Sequence, residues 1–476
     1  AGGVLGLAVG MIGVKLLASL GAAELPLGAR VALDARVAVA ALVSALAAGL
    51  VLAGPVIWLN LRGQVTTALK SESRGGTVSR AVRRWGHGLI VAQITLAFVL
   101  LAGAGLLASS LRRVLAVSPG FHPEHVLTVQ LGLTADRYRD EKTRLAFADR
   151  LLGAARALPG VNHAAVSTSP PFAGEPEKTI ITAEGHTRAP GESIRAHYLS
   201  SVIGDVWQTL GIPLRAGRLL EDADNRGPAR VCVVDEVFAQ RYWPGQSALG
   251  RRVAKDPNFT PEEALTIVGV VGQIKHGDLA DTSALGAVYR PYRYDVAETI
   301  HLLLRSSLPP SALSATLQKA IHGLDPELPV QNPRPLQEHI DASLVQRRAP
   351  ALLASCYAAV ALLLAAIGIY GVFAYVTSRR QREIGVRLAL GALPGQIRNQ
   401  FLATGARLLA TGVVLGGAGA WLVGRAMRAM LFGVPPFHWA TLAMTAAIMG
   451  AVSLAACAIP ARRATKVSPA SALNAE

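Results

Sequence analysis

The feature that most constrains this chain is a series of uncharged apolar runs of membrane length. Ala349 to Thr377 holds 29 residues without a formal charge and Leu408 to Gly424 holds 17. Each can cross about 30 Å of hydrocarbon as a helix. Val37 to Trp58 adds a run of 22, closing on an interfacial Trp, and Leu89 to Leu111 one of 23 whose only polar groups of note are Gln93 and Thr95. A last run lies near Trp439 to Pro460, and Ala1 to about Leu20 reads as the end of a further span, with Lys15 able to snorkel at its exit. With a mean hydropathy of +0.37 and 16% charged residues, the chain is an integral membrane protein.

Between Arg112 and Arg348 no segment reaches membrane length, and about 235 residues suffice for one or two packed domains. Strand-like runs stand at Val126 to Leu133, Val231 to Val234, Thr266 to Val271 and His301 to Leu304. Helical periodicity marks Arg144 to Leu158 and Pro310 to Leu324, the second helped by Ser311 near its start. The elements interleave without a strict βαβ repeat, so the expected class is a membrane protein with α-helical spans and a large α+β domain.

A net charge of +16 and a pI near 10.3 raise the question of nucleic acid. The basic clusters answer it: Arg80, Arg83 and Arg84, then Arg379, Arg380 and Arg382, then Arg462, Arg463 and Lys466 all adjoin apolar runs. That is topology and attraction to anionic membrane lipid, not a nucleic-acid groove. Retaining these three segments in the cytoplasm puts the large domain and both short loops outside and the C-terminus inside. Cys232, Cys356 and Cys457 are isolated, which indicates neither a disulfide framework nor a CxxC site. The chain begins with Ala inside an apolar run, so it reads as a fragment whose beginning is missing rather than one opening on a signal peptide. The segment from about Gly405 to the C-terminus echoes the first 70 residues in layout: a glycine-rich span, a short loop, a second span and a basic tail.

The stretch Thr377 to Phe401 carries five arginines between two spans and is where the protein is expected to be driven. Glu383 stands four residues before Arg387, a supportive pair on a helix surface, and Ile384 and Leu388 share a face. The alternation Ile384, Val386, Leu388, Leu390 also fits a strand. An unpaired edge at a membrane border favours a short helix ending near Gly391, with Pro394 and Gly395 as the turn.

Other motifs point to structure. No GxxxxGK[ST] occurs, so ATP is not bound through a P-loop. HPEH at His122 to His125 lacks HExxH spacing and reads as a loop. Glu221, Asp222 and Asp224 read as a solvated turn, with a cation site as the alternative. Ser167, Thr168 and Ser169 have no nucleophile context. Phe238, Tyr242 and Trp243 look like a helix end packing into a core. Gly412 and Gly416, in GxxxG spacing, permit close helix packing but are a poor signal of dimerisation. The central stretches of the spans carry no Asp, Glu, Lys or Arg, which argues against proton shuttling.

The run REIGVRLALGA (Arg382 to Ala392) after a span, VVDEVFAQRYWPGQSALGRRV (Val233 to Val253), TIVGVVGQIKH (Thr266 to His276) and IPARRATKVSPASAL (Ile459 to Leu473) together resemble the MacB-like, FtsX-type ABC transporter permeases, and the layout most resembles their duplicated orphan members. The resemblance implies two helices of a first repeat at 1–58, a cytoplasmic linker at 59–88, a span at 89–111, a MacB-like periplasmic core at 112–348 and a three-span FtsX-type domain at 349–476. It implies a permease of the bacterial inner membrane, not an enzyme and without cofactor or metal, that works with a separate ABC ATPase and moves its periplasmic domain mechanically. A homodimer or pseudo-dimer of repeats is compatible with it. Arg382, Glu383, Ile384, Arg387, Leu390 and Gly391 are the matched positions expected to contact the ATPase. Two rivals remain: a signalling regulator of a periplasmic partner such as a cell-wall hydrolase, and a membrane-anchored extracytoplasmic enzyme, for which no catalytic constellation is visible.

Overall fold

The computed structural model describes residues 2–17, 34–47, 49–50, 78–133, 136–186, 195–256, 259–283, 285–331, 333–379, 390 and 393–464. The chain divides into two compact units, one of residues 1–114 with 345–476 and one of residues 115–344.

The first unit is helical. Helices α1 (Gly2–Leu17), α2 (Ala35–Ala47) and α3 (Val78–Leu115) come before the large domain, and α9 (Leu336–Arg379), α10 (Pro394–Ala426) and α11 (Trp439–Ala464) close the chain. Among the described residues, four helices are long and apolar enough to cross a membrane: Arg84–Leu115, Leu336–Tyr375, Gly395–Ala426 and Trp439–Pro460. The two earlier runs appear as shorter apolar helices, and residues 51–58 of the second run, Trp58 among them, lie outside the described residues.

Two helices outrun their apolar stretches. α3 begins at Val78, because nothing in its basic lead-in breaks a helix. α9 begins at Leu336, where the polar stretch before Arg348 already has helical spacing: Leu336, Ile340 and Leu344 are all buried, at i, i+4 and i+8.

A bundle core joins Ile90, Ile94 and Phe98 of α3 to Ala365, Ile369 and Phe373 of α9, Ala420 of α10, and Met449 and Cys457 of α11. The two polar side chains of the third span are satisfied across helices. Gln93 Nε2 donates to the Leu364 carbonyl at 2.7 Å, and Thr95 Oγ1 donates to the Gly412 carbonyl at 3.3 Å. The glycines of α10 serve this packing: a Cβ at Gly412 would stand 2.5 Å from Ile94 Cγ2, and one at Gly416 2.8 Å from Phe98 Cβ. Their GxxxG face is therefore occupied by α3 of the same chain.

Among the described residues the second unit is built on a twelve-stranded mixed sheet. Its strands include β1 (Val126–Gly132), β2 (Val161–Ser167), β5 (Ala196–Gly204), β7 (Val231–Asp235), β9 (Leu265–Val271), β10 (Ala287–Pro291), β11 (Thr299–Ser306) and the short edge strand β12 (Arg334–Pro335). The order runs β12-β1-β11-β2-β5-β10-β7-β9, antiparallel except for the β5–β10 and β7–β9 pairs. The parallel pairs interrupt the meander, so the unit is α+β with a mixed sheet.

Two cores cover it. In the first, α4 (Glu141–Arg156) and α8 (Pro310–Leu324) set Phe147, Leu151, Leu313 and Leu317 against Val129 and Leu302, which face each other across β1 and β11. The position before α8 is Pro309, with Pro310 in the first turn, an entry pre-set by ring geometry rather than by a side-chain cap. In the second core α7 (Glu236–Tyr242) starts on Asp235, whose Oδ1 accepts the Phe238 N–H at 2.8 Å. Phe238 and Trp243 then pack against Cys232, Val234 and Ile267.

Candidate functional site

Of the arginine stretch, the structure describes its two ends. Arg382, Glu383, Ile384, Arg387 and Gly391 lie outside the described residues. Leu390 is described and is 82% exposed, and Leu393, which caps α10, is 65% exposed, whereas Ile397 one turn into the helix is buried. Two large apolar side chains, Leu390 and Leu393, are thus left exposed at the start of α10. At the other end Thr377 is buried and Ser378 exposed, on different faces of α9.

In the large domain the polar motifs fall into structural roles. His122 donates its N–H to the Leu210 carbonyl, and the Arg305 guanidinium donates to the carbonyls of His122, Glu124 and Thr209, clamping the HPEH segment by its backbone. Among the described residues no group of three His, Cys, Asp or Glu side chains is placed to hold a metal ion. Ser167 Oγ shares a hydrogen bond with Ser200 Oγ at 2.8 Å, Thr168 Oγ1 accepts from the Ser201 N–H, and Ser169 Oγ accepts from the Glu177 N–H.

The acidic group is not a solvated turn. It forms the short helix α6 (Asp222–Arg226), and Asp224, 6% exposed, accepts both Arg218 Nη atoms at 2.7 and 2.9 Å and the Glu221 N–H at 2.9 Å. Arg218 takes the place of a cation and holds the Asp224 carboxyl below its ordinary range.

Buried titratable groups predict that this domain is acid-sensitive. Burial lowers the pKa of His197 from 6.5 to about 4, of His276 to about 3 and of His301 to about 4, while it raises Asp235 from 3.8 to about 7. The unfolded chain takes up protons on the three imidazoles below pH 6.5 and the folded domain refuses them, so their share of stability is lost as pH falls from 6.5 toward 4. Asp235 acts in the opposite sense: its folded form takes up a proton as pH falls through 7, which adds stability. The imidazoles outnumber the one carboxyl, so stability falls between pH 6 and pH 5. Thermal melting of the full chain in detergent should show its domain transition falling steadily from pH 7 to 5. A flat profile would contradict these buried neutral imidazoles.

Helices of membrane length and a mixed-sheet domain inserted between α3 and α9 define a multi-pass membrane protein with a large α+β domain. Residues 87–321 match the family model of the MacB-like periplasmic core domain, and residues 355–469 that of the FtsX-like permease C-terminal domain. The chain belongs to the MacB-like, FtsX-type ABC permeases.

It is 25% identical over 293 residues to the probable syringafactin export ATP-binding/permease protein SyfD of Pseudomonas syringae, covering 58% of this chain and 42% of that one. It is 23% identical over 435 residues to the macrolide export ATP-binding/permease protein MacB of Shewanella oneidensis, covering 87% and 64%. The chain therefore spans less than two thirds of the length of these curated relatives. The crystal structure of the periplasmic region of MacB from Actinobacillus actinomycetemcomitans aligns with a TM-score of 0.31 at 16% identity, covering 46% of this chain and 94% of that one.

Proposed function

We propose that this chain is the membrane subunit of an ABC-type export or extraction system, in which a separate ATPase drives the periplasmic domain through the helices. The observation that carries the reading is the charge layout around the arginine stretch. Between Val345 and Ala475 there are 13 Lys and Arg residues and one acidic residue, Glu383, which stands among the arginines and four residues before Arg387. A plain topogenic anchor needs only the positive charge. One carboxylate set in a basic segment, followed by the exposed Leu390 and Leu393, has the mixed apolar and charged character of a docking surface.

The relatives' names join ATP binding and permease in one protein, and no GxxxxGK[ST] occurs in these 476 residues; in this proposal the hydrolysis is assigned to a separate ATPase subunit. α9 supports mechanical transmission. It is continuous from Leu336 to Arg379, so its first turns belong to the large domain and its last turn leads into the arginine stretch. By this reading the protein lies in the bacterial inner membrane with its C-terminus in the cytoplasm, and the layout of the duplicated orphan permeases is the nearest within the family.

Cysteine labelling tests the topology. In a Cys356→Ser background, Thr282→Cys in the domain should react with a membrane-impermeant maleimide added to intact spheroplasts, and Ser378→Cys should react only after lysis. Labelling of both from the same side would end the proposal.

A further inference from the structure

Thr128 and Gln130 on β1, His301 on β11, Gln331, Arg334 on β12 and His339 in the first turns of α9 line a cavity of about 500 Å³ inside the large domain. That is the size of a small-molecule site. No carboxylate lines it, and Arg334 is exposed without an ion-pair partner among the described residues.

The wall that presents Arg334 is fixed. Thr128 Oγ1 donates its one hydrogen to the Arg334 carbonyl at 3.0 Å, so it accepts from His339 Nε2, also at 3.0 Å, and β1 is thereby tied to both β12 and α9. The floor is unsatisfied. His301 is 6% exposed with its ring against the Ser167 and Thr168 backbone, and neither ring nitrogen makes a hydrogen bond of normal geometry among the described residues. A Cβ at residue 174 would lie 3.3 Å from His301 Nε2, but that residue is Gly174, at φ 121°, so the space in front of the nitrogen is left open. A buried polar group without a partner disfavours folding, and it is expected where a ligand completes the bonding.

We propose that this cavity binds a small organic anion through a carboxylate, held by the Arg334 guanidinium and the Gln130 and Gln331 amides, with His301 Nε2 as the deepest donor. One guanidinium among neutral donors matches a single negative charge, which favours a carboxylate over a doubly charged phosphate. The site is independent of how the helices are driven, since every group in it belongs to the large domain.

The test is calorimetric titration of the full chain in nanodiscs with N-acetylleucine, with its uncharged analogue N-acetylleucinamide, and with inorganic phosphate. N-acetylleucine should saturate, and the amide should bind at least about tenfold more weakly. Arg334→Gln, at an exposed position that leaves folding intact, should weaken N-acetylleucine about tenfold or more. His301→Phe should do the same while keeping the ring's volume, and should it fail to fold, the Arg334 variant decides alone. The proposal is overturned by no saturable N-acetylleucine binding, by equal binding of acid and amide, by an unchanged Arg334→Gln titration, or by phosphate binding as tightly as N-acetylleucine.

Discussion

Full-length protein carrying Glu383→Arg together with Arg387→Glu should lose its ATPase in a detergent pull-down, with retention falling about tenfold or more against wild type. The double exchange is chosen because it keeps an opposite pair at i,i+4, so a helix there forgoes only a few tenths of a kcal/mol for the less favourable order. What changes is the sign presented to the partner at two positions. Reversing a charge at an interface sets like against like and costs several kcal/mol where the charges approach closely. Arg398→Glu, on the exposed face of α10 and outside the matched positions, should retain the partner far better. If the exchanged protein holds its ATPase as well as wild type does, the contact lies elsewhere.

Gly412→Val should destabilise the helix bundle by about 1–3 kcal/mol, read as a lower midpoint in thermal or SDS unfolding of the detergent-solubilised chain. The added Cβ would meet Ile94 Cγ2 at 2.5 Å and Ile94 Cβ at 2.8 Å, and Ile94 is itself 1% exposed with no open space to move into. Displacing α10 from α3 would also stretch the bond from Thr95 Oγ1 to the Gly412 carbonyl, a polar group with no water to replace it. Gly417→Ala is the control: nothing stands within 4 Å of its Cβ position, so the substitution should be neutral or slightly stabilising through helix propensity. Equal losses at the two positions would mean that α10 does not face α3 in this way.

The spans were legible because the bilayer imposes one length on every crossing helix and permits few charges inside it. The strands at Val126, Val231, Leu265 and Thr299 were legible for a related reason, since each is an apolar run bounded by turn or polar residues. β5 was not. Its sequence, AHYLSSVIG, mixes His and Ser with apolar residues, yet seven of its nine residues are buried. Its polar groups are paired with distant ones: Ser200 with Ser167, Ser201 with the Arg290 guanidinium. Pairing removes the cost that normally keeps such residues outside. The same reason hid Asp224, whose partner Arg218 sits six residues earlier with a leucine pair between them. The polar start of α9 was missed because hydropathy reports the membrane and not the helix.

The apolar runs and the basic segments beside them determined from sequence alone that this is a membrane protein with a large domain placed between two of its helices, and the order of motifs carried its resemblance to the FtsX-type permeases. Hydropathy and charge are properties of the chain summed locally, so they survive without coordinates. Tertiary structure alone decided that the α10 glycines face α3, that Gln93 and Thr95 bond across helices, and that a buried imidazole sits under a cavity with no carboxylate among its described lining residues. Those depend on which residues far apart in sequence come within bonding distance, and a local pattern carries no record of its partner.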